Sequence, residues 1–582
     1  MSIDRLFNKN NVAFQRRFGK EISCGQIKTL WGETYGKCSI SSGYSEEILS
    51  QIPADVMVLF VVGFADGILL RRIMETYTNP IFRLVVIEPD EALFYRICCE
   101  QDVTDLIASE KLLLVVGDES EDETVIDRLV EDSLQIYNSN HCVLFAMPGF
   151  EEVYDTSYSK LSVAIEKKQR HLKVAYDSVS DSKNQRCLNT LHALSVLRDN
   201  YTIGDFFGAV PTKEIPVIIV ASGPSLAKNI DLLKRAYGKA IIVTLAHSAK
   251  TVHDSGCDID ILAVKDAQLG QPFLEFEKAA DAIMIMRVGA ARDIQKKYNG
   301  HILFYGFDNN LFPCAEKEAV YTTKKESGSV AGDIFYMFVA AGFQNIILIG
   351  QDLAYDNDGF THAGGEKNYG VNDTDRIETE DIYGNKIYTR ADWQIMREYY
   401  EGVIKEHPEL TVIDATEGGV YIQGTKICPF EQAIEEYCST RYPVQTWLRG
   451  MKRSQQSVDT KEIFQKRYDA TVRVEEKIRN LLKLNENIQM EIGKYKRVAD
   501  VEILENYDKE FTGLLQCDDA ELLWIYSENV IMYYMSGCVD AEKKKLVEKV
   551  RYESAFISRL LDGCQELKKC LSCYLDSGSG KE

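Results

Sequence analysis

The run Pro216-Val-Ile-Ile-Val-Ala-Ser-Gly-Pro-Ser-Leu-Ala-Lys-Asn229 constrains the fold most, because a β-branched apolar stretch leads through small residues straight into a helical pattern. Val217 to Val220 read as a buried strand. Gly223 permits a tight turn and close approach of a ligand, and Pro224 suits a first helical position, where its missing N–H would be unpaired anyway. Such a turn sets free amides and the positive end of a helix dipole beyond the strand, which favours an anion such as a nucleotide phosphate. The same arrangement also serves merely to turn the chain, so the surroundings must decide.

From about residue 206 to 440, apolar strands alternate with helical stretches, the mark of a mostly parallel sheet covered on both faces. The predicted strands are Val217–Val220, Ala240–Leu245, Ile259–Val264, Ala282–Met286, Ile302–Tyr305, Asn345–Gly350 and Leu410–Ile413. In such sheets ligands bind outside the carboxyl ends of the strands. Polar residues gather at four of those ends: Ser222, Gly223, Pro224 and Ser225; Ala246, His247 and Ser248; Lys265 and Asp266; Gln351 and Asp352. That coincidence favours the phosphate-loop reading. Ser327, Gly328 and Ser329 open a second small-residue helix start, either an anion site or a plain cap with close helix packing. The loop from Gln351 through Tyr355 to His362 is too rich in polar chemistry for a bare connector. Glu417, Gly418 and Gly419 follow the last strand, where two glycines permit close backbone approach or make a turn.

The first 150 residues carry a similar but poorer pattern. Val56–Val62 runs into Gly63-Phe-Ala-Asp-Gly67, and a second strand ends at Glu88, ~20 residues on, where dinucleotide sites place a carboxylate for ribose hydroxyls. Leu112–Val116 and Cys142–Phe145 continue the sheet. The glycines do not follow G-x-G-x-x-G and no catalytic constellation follows. A Rossmann-like scaffold with an empty or vestigial cleft is the plainer reading. Residues 151–205 read as connecting helices, 206–440 as the central α/β domain and 441–582 as an all-helical domain. In that last domain Val474, Ile478, Leu481, Asn485, Ile488 and Ile492 recur three and four apart.

A formal net charge of −22 over 582 residues argues against a nucleic-acid binder, which needs a basic face. No run reaches the ~18–20 apolar residues of a membrane span, and the amino-terminal stretch lacks the apolar core of a secretion signal. The expectation is a soluble, cytoplasmic protein. Fifteen cysteines in so long a chain make no disulfide framework and fit a reducing compartment.

Together, Val217–Asn229, Thr244-Leu-Ala-His-Ser248, Gly328-Ser-Val-Ala331, Gly350-Gln-Asp-Leu-Ala-Tyr355 with Thr361-His362, and Asp414-Ala-Thr-Glu-Gly-Gly419 resemble the motility accessory factor (Maf) proteins, a family of flagellin glycosyltransferases. The resemblance covers the central region closely and implies three parts in order: a Rossmann-like domain, a doubly wound sialyltransferase-like α/β domain and a helical domain. It implies transfer of a nonulosonic acid, such as pseudaminic or legionaminic acid, from a CMP-activated donor to Ser or Thr of flagellin, with no further cofactor and no metal. Ser222, Gly223, Pro224, Ser225, Thr244, Ala246, Lys265, Asp266, Ser327, Gly328, Ser329, Gln351, Tyr355, Glu417, Gly418 and Gly419 would form the donor pocket. His362 or His247 would be the base, since an imidazole suits proton transfer near neutrality; Asp352 is the third candidate, as base or as the group that orients the histidine. The carboxyl-terminal helices offer a docking face for flagellin or for a second copy. Two other functions compete: a pterin pyrophosphokinase, whose loop would hold ATP, and a non-catalytic flagellin chaperone.

Overall fold

The computed structural model describes residues 3–22, 48–77, 82–135, 138–182, 184–268, 282–306, 327–356, 358–363, 376–453, 459–495, 501–531, 534 and 546–576. The chain divides into two compact units. One comprises Met1–Ser178, Gln489–Lys496 and Val530–Phe556; the other comprises Val179–Ile488, Arg497–Asn529 and Ile557–Glu582.

The first unit holds a four-stranded parallel sheet of β1 (Val58–Val62), β2 (Arg83–Glu88), β3 (Leu112–Val116) and β4 (Cys142–Ala146), in the order β3-β2-β1-β4. Every residue of β1 is buried, as expected of a central parallel strand covered on both faces. Each such aliphatic side chain contributes ~1.5–3 kcal/mol by leaving water. The chain runs β1 to β2 to β3 on one side, then returns to place β4 on the other side of β1.

The second unit holds a nine-stranded sheet. Its strands are β5 (Tyr201–Thr202), β6 (Val217–Val220), β7 (Ile241–Leu245), β8 (Ile261–Val264), β9 (Ile283–Arg287), β10 (Ile302–Tyr305), β11 (Asn345–Ile349), β14 (Thr411–Asp414) and β15 (Lys426–Ile427). A separate antiparallel hairpin pairs β12 (Ile377–Glu380) with β13 (Lys386–Thr389). The large sheet is parallel, in the order β15-β14-β11-β6-β7-β8-β9-β10-β5. All seven expected apolar runs form strands, with ends shifted by at most two residues. The two-residue strands β5 and β15 and the polar hairpin carry no comparable apolar signal.

Successive strands step from β6 outward to β10, and the chain then crosses back to lay β11 on the opposite side of β6. That reversal opens a crevice beyond the carboxyl ends of β6 and β11, the place where open α/β sheets bind ligands. Among the described residues, two large cores pack against the sheet. One holds Val217, Ile219, Phe335 and Tyr400; the other holds Ile218, Val220, Leu226 and Phe430.

Long helices at Thr460–Tyr495, Val501–Leu515 and Leu546–Asp576 confirm the helical carboxyl-terminal region. Val474, Ile478, Leu481, Asn485, Ile488 and Ile492 all lie on a buried face, and Asn485 donates to the Tyr507 hydroxyl at 3.0 Å. Among the described residues no helix is long and apolar enough to cross a membrane.

Candidate active site

The turn after β6 is built differently from a free amide cradle. The Ala221 amide donates to Ile349 O at 2.9 Å, the Gly223 amide to Gly350 O at 2.8 Å, and the Ser225 amide to the Asp352 carboxylate at 3.2 Å. Ser225 Oγ donates to Asp352 Oδ2 at 2.7 Å. The helix that follows is one turn, Leu226–Asn229, with Ser225 at its N-cap, so Pro224 lies before the helix rather than at its first position. Ser222 is half-buried, and its amide and hydroxyl have no partner among the described residues; its carbonyl accepts from the Ala363 amide at 2.8 Å. A phosphate at this turn would therefore meet Ser222, because the neighbouring amides are spent within the chain.

Close approach explains the glycines. A methyl group on Gly223 would lie 2.1 Å from Asp352 Oδ2 and 2.6 Å from Gly350 O. Gly350 has a φ of +64°, and a methyl there would sit 2.5 Å from Ala221 O. On the far side Gly419 packs against the Asp352 backbone, where a methyl would fall 2.2 Å from the carbonyl oxygen, and Asp352 O accepts from the Val420 amide at 2.9 Å. Gly418 faces Ser225, Asp352 and Lys228. Lys228 Nζ donates to Glu417 O at 2.7 Å, while the Glu417 carboxylate accepts from the Phe430 amide at 3.0 Å, at the start of the helix Phe430–Tyr437. Glu417 thus uses its charge as a helix cap.

Burial dominates the electrostatics beneath the crevice. It pushes the Asp352 carboxyl up to about 6 against the lowering effect of its bonds to Ser225, and nearby Asp414 adds to the rise. Asp414 is raised to about 6 by burial, and its Oδ2 has no hydrogen-bond partner among the described residues. Gln351 accepts from the Tyr400 hydroxyl at 3.3 Å, and its amide donates to Thr416 Oγ1 at 3.3 Å.

Two histidines flank this turn. The helix Ala246–Asp254 starts directly after β7 and carries His247 in its first turn; the loop after β11 brings His362 beside it. Their ring centroids are 5.6 Å apart with planes 28° from parallel. His362 Nδ1 lies 2.8 Å from the hydroxyl of Thr361, which is buried. When Nδ1 carries the proton and donates to Thr361, Nε2 is the accepting nitrogen of the ring. Thr244, near the end of β7, is buried with a hydroxyl that lacks a partner among the described residues. Ala246 is buried at the helix start, and Ser248 donates to Val220 O at 2.8 Å, tying that helix to β6.

The other expected pocket residues form two further groups. Lys265 Nζ pairs with Asp333 at 3.1 Å and contacts Ser327 Oγ at 3.4 Å; Ser327 also donates to Asp333, and the Tyr305 hydroxyl donates to Asp333 Oδ2 at 2.9 Å. Ser329 caps the helix Val330–Ala340 by accepting from the Gly332 amide at 3.0 Å, and Gly328, at φ +72°, packs near Met396. That segment is accounted for by capping and close packing. The Tyr355 ring packs against Trp393 with centroids 4.9 Å apart and planes tilted by 56°, with its hydroxyl buried and unpartnered among the described residues and the Arg376 guanidinium 4.9 Å over its ring. Asp266 is exposed, and its carbonyl accepts from the Ala291 amide. Asp333, Tyr305 and Thr416 escaped the reading of the sequence, because nothing local signals a partner as far off as Lys265 is from Asp333. Among the described residues no group of three or more His, Cys, Asp or Glu side chains is placed to hold a metal ion.

Residues 188–358, which span β5 to β11, match a family described as 6-hydroxymethylpterin diphosphokinase MptE-like. The solved structure of a MAf glycosyltransferase from Magnetospirillum magneticum AMB-1 aligns with 100% of this chain and 89% of its own, with a TM-score of 0.55 at 13% identity. The chain has the fold of that MAf glycosyltransferase. Likeness at this identity establishes architecture, which agrees with the Maf resemblance of the motifs. No curated protein matches the chain.

Proposed function

We propose that this chain is a glycosyltransferase that moves a nonulosonic acid from a CMP-activated donor to Ser or Thr hydroxyls of flagellin, with the crevice between β6 and β11 as its active site. The observation that carries this reading is the His247–His362 pair beside Ser222 at the point where the strand order reverses. The chemistry asks for a base and little else. The acceptor hydroxyl oxygen bonds to the anomeric carbon as the bond from that carbon to the phosphate oxygen breaks. The hydroxyl proton goes to His362 Nε2, and CMP leaves with the bonding electrons. Ser222 would hold the phosphate, with Thr244 and Lys265 at the adjoining strand ends.

Intact-mass measurement of flagellin, made with and without this chain in cells that supply the CMP-sugar, tests the reading. A mass increase of one or more nonulosonic acid residues that depends on the chain is expected; an unchanged mass with normal flagellin expression would sink it. The MptE-like match at 188–358 supports a second reading, a nucleotide-dependent diphosphokinase. Binding of ATP with magnesium in preference to CMP would favour that one.

A further inference from the structure

We infer that Asp352 is a positioning residue of the donor pocket, acting through Ser225 to place Ser222, and that it exchanges no proton with substrate. The inference rests on the reading of the crevice as the donor site. Asp352 is buried, and both carboxylate oxygens lie within reach of the Ser225 amide, at 3.2 and 3.3 Å, while the Ser225 hydroxyl donates to one of them at 2.7 Å. Ser225 itself is buried, so the pair faces inward and a ligand in the crevice meets neither group directly. The same residue holds the opposite wall, since its carbonyl accepts from Val420 and Gly419 packs on its backbone. Its neighbour Leu353 turns the chain at φ +50°, and the Thr389 hydroxyl donates to Leu353 O at 2.7 Å.

Three loops, after β6, β11 and β14, therefore meet on one carboxylate and its peptide. A general base must reach the proton that it takes, and a carboxylate spent on a buried amide and hydroxyl does not. What Asp352 fixes is the path of Ser222-Gly223-Pro224, and hence the direction of the one amide and hydroxyl in that turn left for a ligand.

A double-mutant cycle on the full chain with Asp352→Asn and Ser225→Ala tests this. Initial rates are measured against CMP-sugar concentration and pH, with CMP affinity determined separately. Each single variant should raise the donor KM by ~10-fold, the scale of one lost charge-assisted hydrogen bond, and keep the acid limb of the pH profile. The double variant should be no worse than the poorer single one. Loss of the acid limb in Asp352→Asn, fully additive losses, or an unchanged KM in Ser225→Ala would each overturn the inference. Should Asp352→Asn fail to fold, Ser225→Ala alone still decides through its KM. A wild-type chain that neither binds CMP nor turns over the donor would instead refute the donor-site reading itself, a separate result.

Discussion

Both sheets reverse their strand order once, at β1 and β4 in the smaller and at β6 and β11 in the larger, so both possess the crevice in which doubly wound folds hold nucleotides. In the smaller sheet that place is filled from within. The Phe150 ring lies against Gly63, where a methyl would come within 2.7 Å of it at a φ of +100°. The Glu88 carboxyl, positioned where a ribose partner was expected, accepts from the Phe64 and Asp90 amides at 2.7 and 2.9 Å. Asp90 caps the following helix at Leu93 and accepts from the Tyr154 hydroxyl. In the larger sheet the crevice is lined by Ser222 and two histidines. Topology supplies the crevice; the side chains at its mouth determine whether it serves as a site.

The sharpest break would come at His362. Replacing it with Ala should lower transfer by ~10²–10⁴-fold, the usual worth of a general base, with CMP affinity little changed; a rate kept within a few-fold would remove it from the chemistry. Phe150→Ala should destabilise the smaller unit by ~3–5 kcal/mol, as expected for a buried aromatic truncated to a methyl. Denaturant unfolding measures the loss. Dinucleotide titration of the same variant should show no binding, because Glu88 still occupies the amides of the turn.

Titration separates the two sheets next. Burial raises Glu88 from its ordinary 4.5 to about 8, so its contribution to stability is fully present below about pH 4.5 and is lost as pH rises through 8. Asp352, Asp414 and Asp260, the last buried just before β8 where it accepts from the Ile242 amide, rise from 3.8 to about 6, so their contribution is lost earlier, between about pH 4 and 6. Between pH 6.5 and 8.5, hydrogen exchange corrected for intrinsic rate should therefore quicken in β1–β4 and change little in β6–β14, and Glu88→Gln should abolish the difference. The smallest effect belongs to Thr361→Val, which removes the partner of His362 Nδ1. A ~10-fold fall in kcat at constant donor KM is expected from losing one orienting hydrogen bond.

Much of the architecture was legible in the sequence, because buried parallel strands are written as uninterrupted runs such as Val217–Val220 and Ile346–Ile349. The strand ends that carry polar residues were legible for the same reason. Their pairings were not. Asp352 and Ser225 are 127 positions apart, and the sequence shows two polar tips without showing that one consumes the other. Glu88 stands at the expected strand end, yet only the fold reveals that its carboxyl turns back onto the Phe64 amide. The role of Gly63 was likewise invisible, since its close approach is to Phe150, the first residue of the helix that follows β4.

Calorimetric titration of the purified chain with CMP, repeated on Ser222→Trp and Phe150→Ala, decides which of the two crevices holds the nucleotide. One CMP site per chain is expected, lost in Ser222→Trp and retained in Phe150→Ala. CMP binding that survives Ser222→Trp but disappears in Phe150→Ala would place the nucleotide in the wrong sheet and contradict the donor-site reading.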